Sequence, residues 1–370
     1  MICDHSPHLR IRALLRGHVP WIILILLATA AIHLAASFRV GYLSDDYMHL
    51  ENAPSTSIFK PLERHHFSPV ITILFKAAAT GIFPPLAWHL LALVVHMANV
   101  VIVFFIARTG LRLNLSYALA ATAVFAAAAA CYEAIVWASA IGYVLVMLPM
   151  LIALLITLRT TRSSIWHTSL LLALLQFVAL LVWDWGVLLF PMACLCMSLW
   201  VLPDRDISIR AAVKALLPCA CVCCCALAVK YLSGYRTGYD TVNLDARLWL
   251  QILMPMPIVS LFPNIPWDCV HSTIGLLFAA ASWGLLAWFA VKDKLVRLSF
   301  ALYLLCWLPA LIFAGPQSRY LYIGTPFFAI AVVRIIGMIA TGRLAHLLII
   351  ALVAGHILFA VQRSRLWTGA

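Results

Sequence analysis

Charge is the scarcest feature of this chain. Asp and Glu together number 13 among 370 residues, and all charged residues make up 10% of the sequence. So few charges cannot cover the surface of a soluble protein of this size, and 65% of the residues are hydrophobic. With a mean hydropathy of +1.03, the composition indicates an integral membrane protein. The apolar stretches are continuous and do not alternate with period two, which excludes a transmembrane β-barrel.

Apolar stretches of about 17 to 25 residues predict an all-α polytopic membrane protein with about eleven transmembrane helices. The expected helices cover residues 19–37, 87–107, 114–130, 139–158, 165–182, 186–202, 211–232, 271–291, 298–314, 321–340 and 344–361. Two longer loops remain, at 38–86 and 233–270, and the chain 1–370 is expected to form a single transmembrane domain. In the first loop, the apolar run 70–83 is too short to cross a bilayer, so it predicts a helix lying in the membrane interface.

The placement of Lys and Arg predicts the orientation of the chain. With the N-terminus in the cytoplasm, most of the 25 basic residues fall in cytoplasmic loops, and most of the 13 acidic residues fall on the opposite face. Both long loops then lie on the outer face. The net charge of +12 follows from this topology, because most of the basic residues lie near lipid headgroups. The charge therefore does not require a nucleic-acid partner, and none is expected.

Carboxylates at the mouths of three helix pairs are the first candidates for chemistry. Asp45 and Asp46 follow the first span, Glu133 lies between the third and fourth spans, and Asp184 lies between the fifth and sixth. Ionisable groups at a membrane surface of this kind are candidate functional residues. One carboxylate can act as a general base on a hydroxyl, and others can hold a divalent cation, with Asp46 and Glu133 as candidate ligands. The alternative is that single turn carboxylates are merely solvated.

Basic and amide side chains are the second group of candidate functional residues. Arg319 stands alone in a short outer turn, where topology disfavours positive charge, and its guanidinium suits a phosphate. Arg64 and His66 in the first loop are further candidates for phosphate binding, although an interfacial Arg is often a headgroup anchor. His89, His96 and Asn99 share one face of the second span. That stripe either supports the site or joins helices by hydrogen bonds, and the second reading is favoured.

Six stretches in this order resemble the GT-C class of polyprenyl-phosphate-sugar-dependent glycosyltransferases, in particular the protein O-mannosyltransferase and aminoarabinose-transferase group. The stretches are Ser44-Asp45-Asp46-Tyr47, His66-Phe67-Ser68-Pro69-Val70, Trp88 to Asn99, Glu133-Ala134-Ile135-Val136-Trp137, Asp184-Trp185-Gly186, and Arg319-Tyr320-Leu321-Tyr322. Several positions depart from the pattern of the family, and among them Ala92 replaces an expected Asn and Gly142-Tyr143-Val144-Leu145 replaces Gly-Arg-x-Asp. Ser68 stands where Arg or Lys is usual, and Trp183-Asp184 replaces Lys-Glu.

The resemblance implies a GT-C-like fold and a glycosyltransferase of the bacterial inner membrane with a periplasmic active site. The donor would be a polyprenyl-phosphate-linked sugar, and the acceptor a glycan, a lipid or a protein. No cofactor is certain, and a divalent cation is an option. The resemblance implies a role for each candidate: Asp45 would be the general base, Asp46 would support it or bind a cation, and Glu133 would orient the acceptor or complete a cation site. The donor phosphate would be bound by Arg319, Tyr320, Arg64 and His66. The acceptor would be contacted, or the site supported, by Asp184, His89, His96 and Asn99.

Two other functions fit the same composition. A transporter or flippase of a lipid-linked glycan predicts charges near the bilayer midplane and discontinuous helices in paired halves. A glycan polymerase or ligase of the O-antigen type predicts essential Arg and His residues in a large late loop, for which 233–270 is the candidate.

Overall fold

The computed structural model describes residues 7–58, 68–128, 131–232, 256–261, 272–313 and 318–368. These residues form helices joined by turns, and no strand occurs within these ranges. The helices are α1 (Pro7–Ser37), α2 (Asp45–Asn52), α3 (Pro69–Ala79), α4 (Pro85–Phe105), α5 (Leu115–Ala127), α6 (Tyr132–Val136), α7 (Ile141–Arg159), α8 (Ile165–Val182), α9 (Leu189–Cys196), α10 (Leu202–Asp204), α11 (Ile209–Leu232), α12 (Met256–Leu261), α13 (Thr273–Lys292), α14 (Lys294–Phe313), α15 (Leu321–Ile339) and α16 (Gly342–Thr368). Wider π-helical turns extend α4 to Gly110 and α9 to Val201.

Eight segments in the described part of the chain are long and apolar enough to cross a membrane. They are Pro85–Gly110, Ala138–Arg159, Arg162–Val182, Asp184–Asp204, Ile209–Val229, Thr273–Lys292, Leu321–Ile339 and Gly342–Trp367. The prediction of an all-α polytopic membrane protein is therefore confirmed. The other expected spans, 19–37, 114–130 and 298–314, overlap α1, α5 and α14, of which α5 has only 13 residues. The count of eleven stays a prediction.

Two helices form the centre of the bundle. In Ala138–Arg159 and Leu321–Ile339, 72% and 67% of the apolar window is buried, against 17% in Thr273–Lys292. The central helices therefore pack on protein along most of their length, whereas a helix such as α13 presents its apolar side chains outward, as expected towards lipid. Residues at the ends of α7 and α15 are accordingly held by neighbours on several sides, which suits a precisely positioned site.

The two ends of the bundle differ in charge. At one end, the basic end, Arg205 donates to the carbonyl of Thr160 at the end of α7, at 2.7 Å, and Arg334 pairs with Asp293, also at 2.7 Å. Cations at the C-terminal ends of helices complement the helix dipole. The opposite end, here named the acidic end, holds the carboxylates of Asp45, Asp46, Glu133 and Asp184.

The first long loop folds back on the acidic end. Helix α3 has eleven residues, too few to cross a bilayer, and overlaps the predicted interfacial run 70–83. Its Phe75 packs against Trp88 of α4, with ring centroids 4.6 Å apart, and against His49 of α2 at 4.8 Å. The hydroxyl of Tyr42 donates to the carbonyl of Phe83 at 2.9 Å and joins the two limbs of the loop. A helix exists where predicted, while its depth in the membrane stays a prediction.

Candidate active site

The two adjacent aspartates at the start of α2 have different surroundings. Asp46 is fully buried, whereas Asp45 is half-buried. Ser44, just before them, adopts φ +36°, a left-handed conformation that costs a residue with a side chain roughly 1–3 kcal/mol. Successive helix residues point about 100° apart, so one carboxylate turns inward and its neighbour outward. Asp46 is the carboxylate that points inward, and Asp45 is the one that points outward.

Asp46 anchors α2 to the turn that precedes the central helix α7. One carboxylate oxygen accepts from the backbone N–H of Leu43 at 2.8 Å. The other accepts from the backbone N–H of Ser139 at 2.7 Å and from the Ser139 hydroxyl. Burial raises the pKa of Asp46 above that of an ordinary aspartate, and these donors oppose the rise. With both oxygens engaged, Asp46 is suited to positioning.

Asp45 is the carboxylate that remains accessible at the rim. It accepts a hydrogen bond from the hydroxyl of its neighbour Ser44 at 2.8 Å. An ionised carboxylate has several acceptor positions, so this single local bond leaves room for an incoming hydroxyl group. Asp45 therefore has the exposure that a general base requires, on a helix whose position Asp46 secures.

The start of α4 secures the same region from the other side. The indole N–H of Trp88 donates to the carbonyl of Ala138 at 2.9 Å, directly beside Ser139. The ring nitrogen Nε2 of His89 lies 3.0 Å from the carbonyl of Val40, in the segment leading to α2. His89 is fully buried, and its contact holds the backbone that precedes the acid pair. The structure thus places His89 beside the segment that leads to the acid pair.

Glu133 and Arg319 form an ion pair across the acidic end. A guanidinium nitrogen of Arg319 lies 3.2 Å from a carboxylate oxygen of Glu133, and the side chains are only 17% and 16% exposed. The Arg319 guanidinium also lies 4.5 Å from the ring centroid of Trp137, within reach of a cation–π interaction. Burial raises the pKa of Glu133, and the charge of Arg319 opposes that rise without cancelling it. Sequence reasoning named both residues but did not pair them.

An aromatic cluster of Tyr143, Trp183, Trp185 and Tyr320 joins the Asp184 turn to the Arg319 turn. Tyr320 stacks on Trp185, with centroids 5.3 Å apart and planes at 21°, and Tyr143 meets both rings edge-on. Trp183 packs so closely on Gly142 that a Cβ there would lie 2.5 Å from its ring. Asp184 begins the turn between the two tryptophans and is half-buried. The cluster places Asp184 and Tyr320 at the same end as Glu133.

His96 and Asn99 belong to a hydrogen-bonding network inside the bundle. The hydroxyl of Tyr322 lies 2.9 Å from Nδ1 of His96 and accepts from the Asn99 amide at 3.0 Å. The same amide donates to the carbonyl of Val144 at 3.0 Å. These residues are fully buried, and the network joins α4, α7 and α15. Their placement matches an interhelical stripe in the membrane interior.

Candidate metal ligands do not converge in the described part of the chain. No group of three His, Cys, Asp or Glu side chains converges there as a metal site. Asp46 is occupied by N–H and O–H donors, and Glu133 by a guanidinium group. The sequence left open a cation held by these two carboxylates. That option does not fit the structure, because their oxygens already face hydrogen-bond donors or a positive charge. Arg64 and His66 lie outside the described residues.

Two residues that act on the candidate site residues were missed from the sequence. Ser139 gave no signal, because a serine in an apolar turn resembles any other turn residue. Arg363, near the end of α16, acts electrostatically on Glu133. Its signal was present: with the orientation that the sequence predicts, the topological rule that singled out Arg319 applies equally to Arg363, after the last expected span.

The acidic end thus combines an accessible carboxylate, an anchored carboxylate and a shielded arginine. This set can accept a proton from a hydroxyl group and bind an anion close by. The sequence matches no protein-family model, and it matches no curated protein. Its function is therefore inferred from the residues of the site.

Proposed function

We propose that this protein is an integral membrane glycosyltransferase that moves a sugar from a polyprenyl-phosphate donor to a glycan, lipid or protein acceptor. The observation that carries the proposal is the division of labour in the acid pair. Asp46 is buried and held by Ser139, and this arrangement holds Asp45 accessible at the rim. The ion-paired Arg319, at the same end, supplies the positive charge that a donor phosphate needs.

In the proposed reaction, Asp45 takes the proton of an acceptor hydroxyl as its oxygen attacks the anomeric carbon of the donor sugar. The new bond joins acceptor oxygen and anomeric carbon, and the bond between that carbon and the phosphate oxygen breaks. The bonding electrons leave with the phosphate, which becomes polyprenyl phosphate. Attack opposite the leaving group inverts the anomeric centre, as the resemblance implies.

Arg319 would stabilise the leaving phosphate. Negative charge accumulates on the phosphate oxygens as the bond breaks, and a preorganised guanidinium in a shielded site stabilises that charge most in the transition state. Trp137 and Glu133 fix the orientation of the guanidinium before the donor arrives. Tyr320, Arg64 and His66 are proposed as further contacts of the donor, and Asp184 as a contact of the acceptor.

The proposed topology has eleven spans, a cytoplasmic N-terminus and the acidic end in the periplasm of a bacterial inner membrane. It is supported by the basic residues gathered at one end and the carboxylates at the other. Nucleotide sugars are cytoplasmic, so a transferase working on the outer face requires a donor carried by a lipid. This compartment argument selects the polyprenyl-phosphate donor.

The position of the carboxylates favours transfer over transport. A transporter typically places charged groups near the bilayer midplane, between paired halves. Here Asp45, Asp46 and Glu133 lie in short helices outside the spanning segments. A polymerase or ligase centred on the loop 233–270 would not require Asp45.

Reconstitution distinguishes these functions. The full chain is incorporated into liposomes with polyprenyl-phosphate sugars extracted from its host and with envelope glycolipid as acceptor. A transferase releases polyprenyl phosphate and labels the acceptor, both visible by mass spectrometry. Movement of the intact lipid-linked sugar between leaflets, without release of polyprenyl phosphate, would overturn the proposal.

A further inference from the structure

The last helix carries positive charge to the acidic end. Helix α16 follows α15 at the basic end, and its last turns contain Arg363 and Arg365. Arg363 is half-buried, whereas Arg365 is exposed. The positive-inside rule does not account for arginines on the proposed outer side. The burial of one of them points to a task within the protein.

Packing of the helix end places Arg363 on the side of α16 that meets α6, the helix that contains Glu133. The ring of Trp367 lies 6.3 Å from that of Tyr132, and both belong to an apolar cluster with Val40. Arg363 precedes Trp367 by four residues and so lies on the same face of α16. Tyr132 is the immediate neighbour of Glu133 in α6. The charge of Arg363 accordingly lowers the pKa of Glu133, in opposition to burial.

We infer that Arg319 and Arg363 together form a two-arginine phosphate site, in which Glu133 is the resident counter-ion that the phosphate of the lipid replaces. This inference rests on the proposed function and deepens it. It assigns to the donor site a residue of the last helix that lies in none of the six resembling stretches. It also gives Glu133 a role as a placeholder for the phosphate.

Charge balance explains why two arginines suit this reaction. A lipid-linked sugar phosphate is a phosphodiester with one negative charge. The polyprenyl phosphate that leaves is a monoester with a charge of about −1.5 to −2 at pH 7. One guanidinium matches the diester, and the second matches the charge that appears as the bond breaks. The site should therefore prefer the monoester.

Arg365 is the matched control for this inference. A cation near a helix C-terminus interacts favourably with the helix dipole, and an interfacial arginine can bind lipid headgroups. Both explanations apply to Arg365 as well as to Arg363. Of these two arginines, Arg363 shares the helix face of Trp367, which packs against Tyr132, so Arg363 and not Arg365 should respond to the phosphate of the donor.

The test measures binding to the full chain in nanodiscs of zwitterionic lipid. The probes are polyprenyl monophosphate and its methyl diester, and the controls are polyprenol, inorganic phosphate and phosphatidylglycerol. Arg319→Gln should weaken both probes about tenfold or more. Arg363→Gln should weaken the monoester by about the same factor and abolish its advantage over the diester. Arg365→Gln should leave both affinities unchanged, and Glu133→Gln should increase them.

The outcomes separate this inference from the proposed function. If Arg363→Gln retains the preference for the monoester, the second arginine is wrongly assigned, while a strong effect of Arg319→Gln still supports a donor phosphate. Equal binding of polyprenol by the wild type would overturn the donor itself. Equal competition by phosphatidylglycerol or inorganic phosphate would overturn the assignment of the site to the lipid donor. Arg363→Lys keeps the charge and guards against misfolding; it should recover only part of the affinity, because lysine lacks the planar fork.

Discussion

Asp46 accepts a hydrogen bond from the hydroxyl of Ser139, a residue 93 positions later in the chain. The backbone N–H of Ser139 donates to the same carboxylate oxygen at 2.7 Å. This pair fastens the short helix α2 to the turn that precedes the central helix α7 and thereby positions Asp45. The acid pair is thus one anchored carboxylate and one accessible carboxylate.

Ser139→Ala tests the anchor. The substitution leaves a buried carboxylate without one of its three donors, so it should destabilise the fold by about 1–3 kcal/mol. It should also lower turnover on the order of tenfold, because Asp45 loses its fixed position. Thermal unfolding in detergent and a reconstituted transfer assay measure the two effects. Ser163→Ala, at an exposed serine of the basic end, is the control and should change neither. Unaltered turnover in Ser139→Ala would remove the positioning role.

The stability of the protein should depend on pH through Asp46. Burial raises its pKa above 3.8, the value of an unperturbed aspartate, so the folded state holds the proton more tightly than the unfolded state. The resulting stability is fully present below pH 3.8 and is lost as pH rises through the raised pKa. Melting curves of the wild type and Asp46→Asn from pH 3.5 to pH 8 test this. The advantage of the wild type should shrink as pH rises; a constant difference would contradict the shift.

Arg319→Ala should chiefly impair use of the lipid donor. The loss of a shielded guanidinium should raise the apparent KM for the donor about tenfold or more, lower kcat because the leaving phosphate loses its stabilisation, and leave the KM for the acceptor unchanged. Arg162→Ala, at an exposed residue in the turn that precedes α8, is the control. Steady-state kinetics with each substrate varied in turn separates the two constants. An effect restricted to the acceptor would mean that Arg319 does not bind the donor.

Tyr322→Phe tests whether His96 and Asn99 are structural. Its hydroxyl links both residues, and hydrogen bonds between membrane helices are worth about 0.6 to 2 kcal/mol each. We expect a lower unfolding temperature with both KM values unchanged. If the variant loses catalysis at full stability, the network takes a direct part in the reaction.

Much of the architecture was predictable because membrane helices are encoded locally. An apolar run such as 139–158 must satisfy its own backbone groups within the bilayer, so its sequence alone predicts a helix, and α7 is found there. The apolar run 70–83 likewise predicted a helix, and its length excluded a span. These inferences need no knowledge of the neighbouring helices.

The site could be predicted only in part, because burial and pairing arise from contacts between distant residues. Asp45 and Asp46 were both singled out, but their opposite surroundings depend on Ser139 and on the backbone of Ser44. The sequence predicts that Arg319 binds a phosphate but gives no protein partner for it, whereas the structure pairs it with Glu133. Arg64 and His66 lie outside the described residues, so their roles stay predictions.

The most direct test of the central claim is mass spectrometry of envelope glycolipids, glycans and glycoproteins from four strains. The strains are a deletion and its complements with wild type, Asp45→Asn or Glu51→Gln, the last replacing an exposed carboxylate of the same helix. We expect a sugar modification that is absent from the deletion and the Asp45→Asn strain and restored by the wild type and by Glu51→Gln. Full restoration by an Asp45→Asn protein present at wild-type level would contradict the account, because the transfer would then proceed without its base.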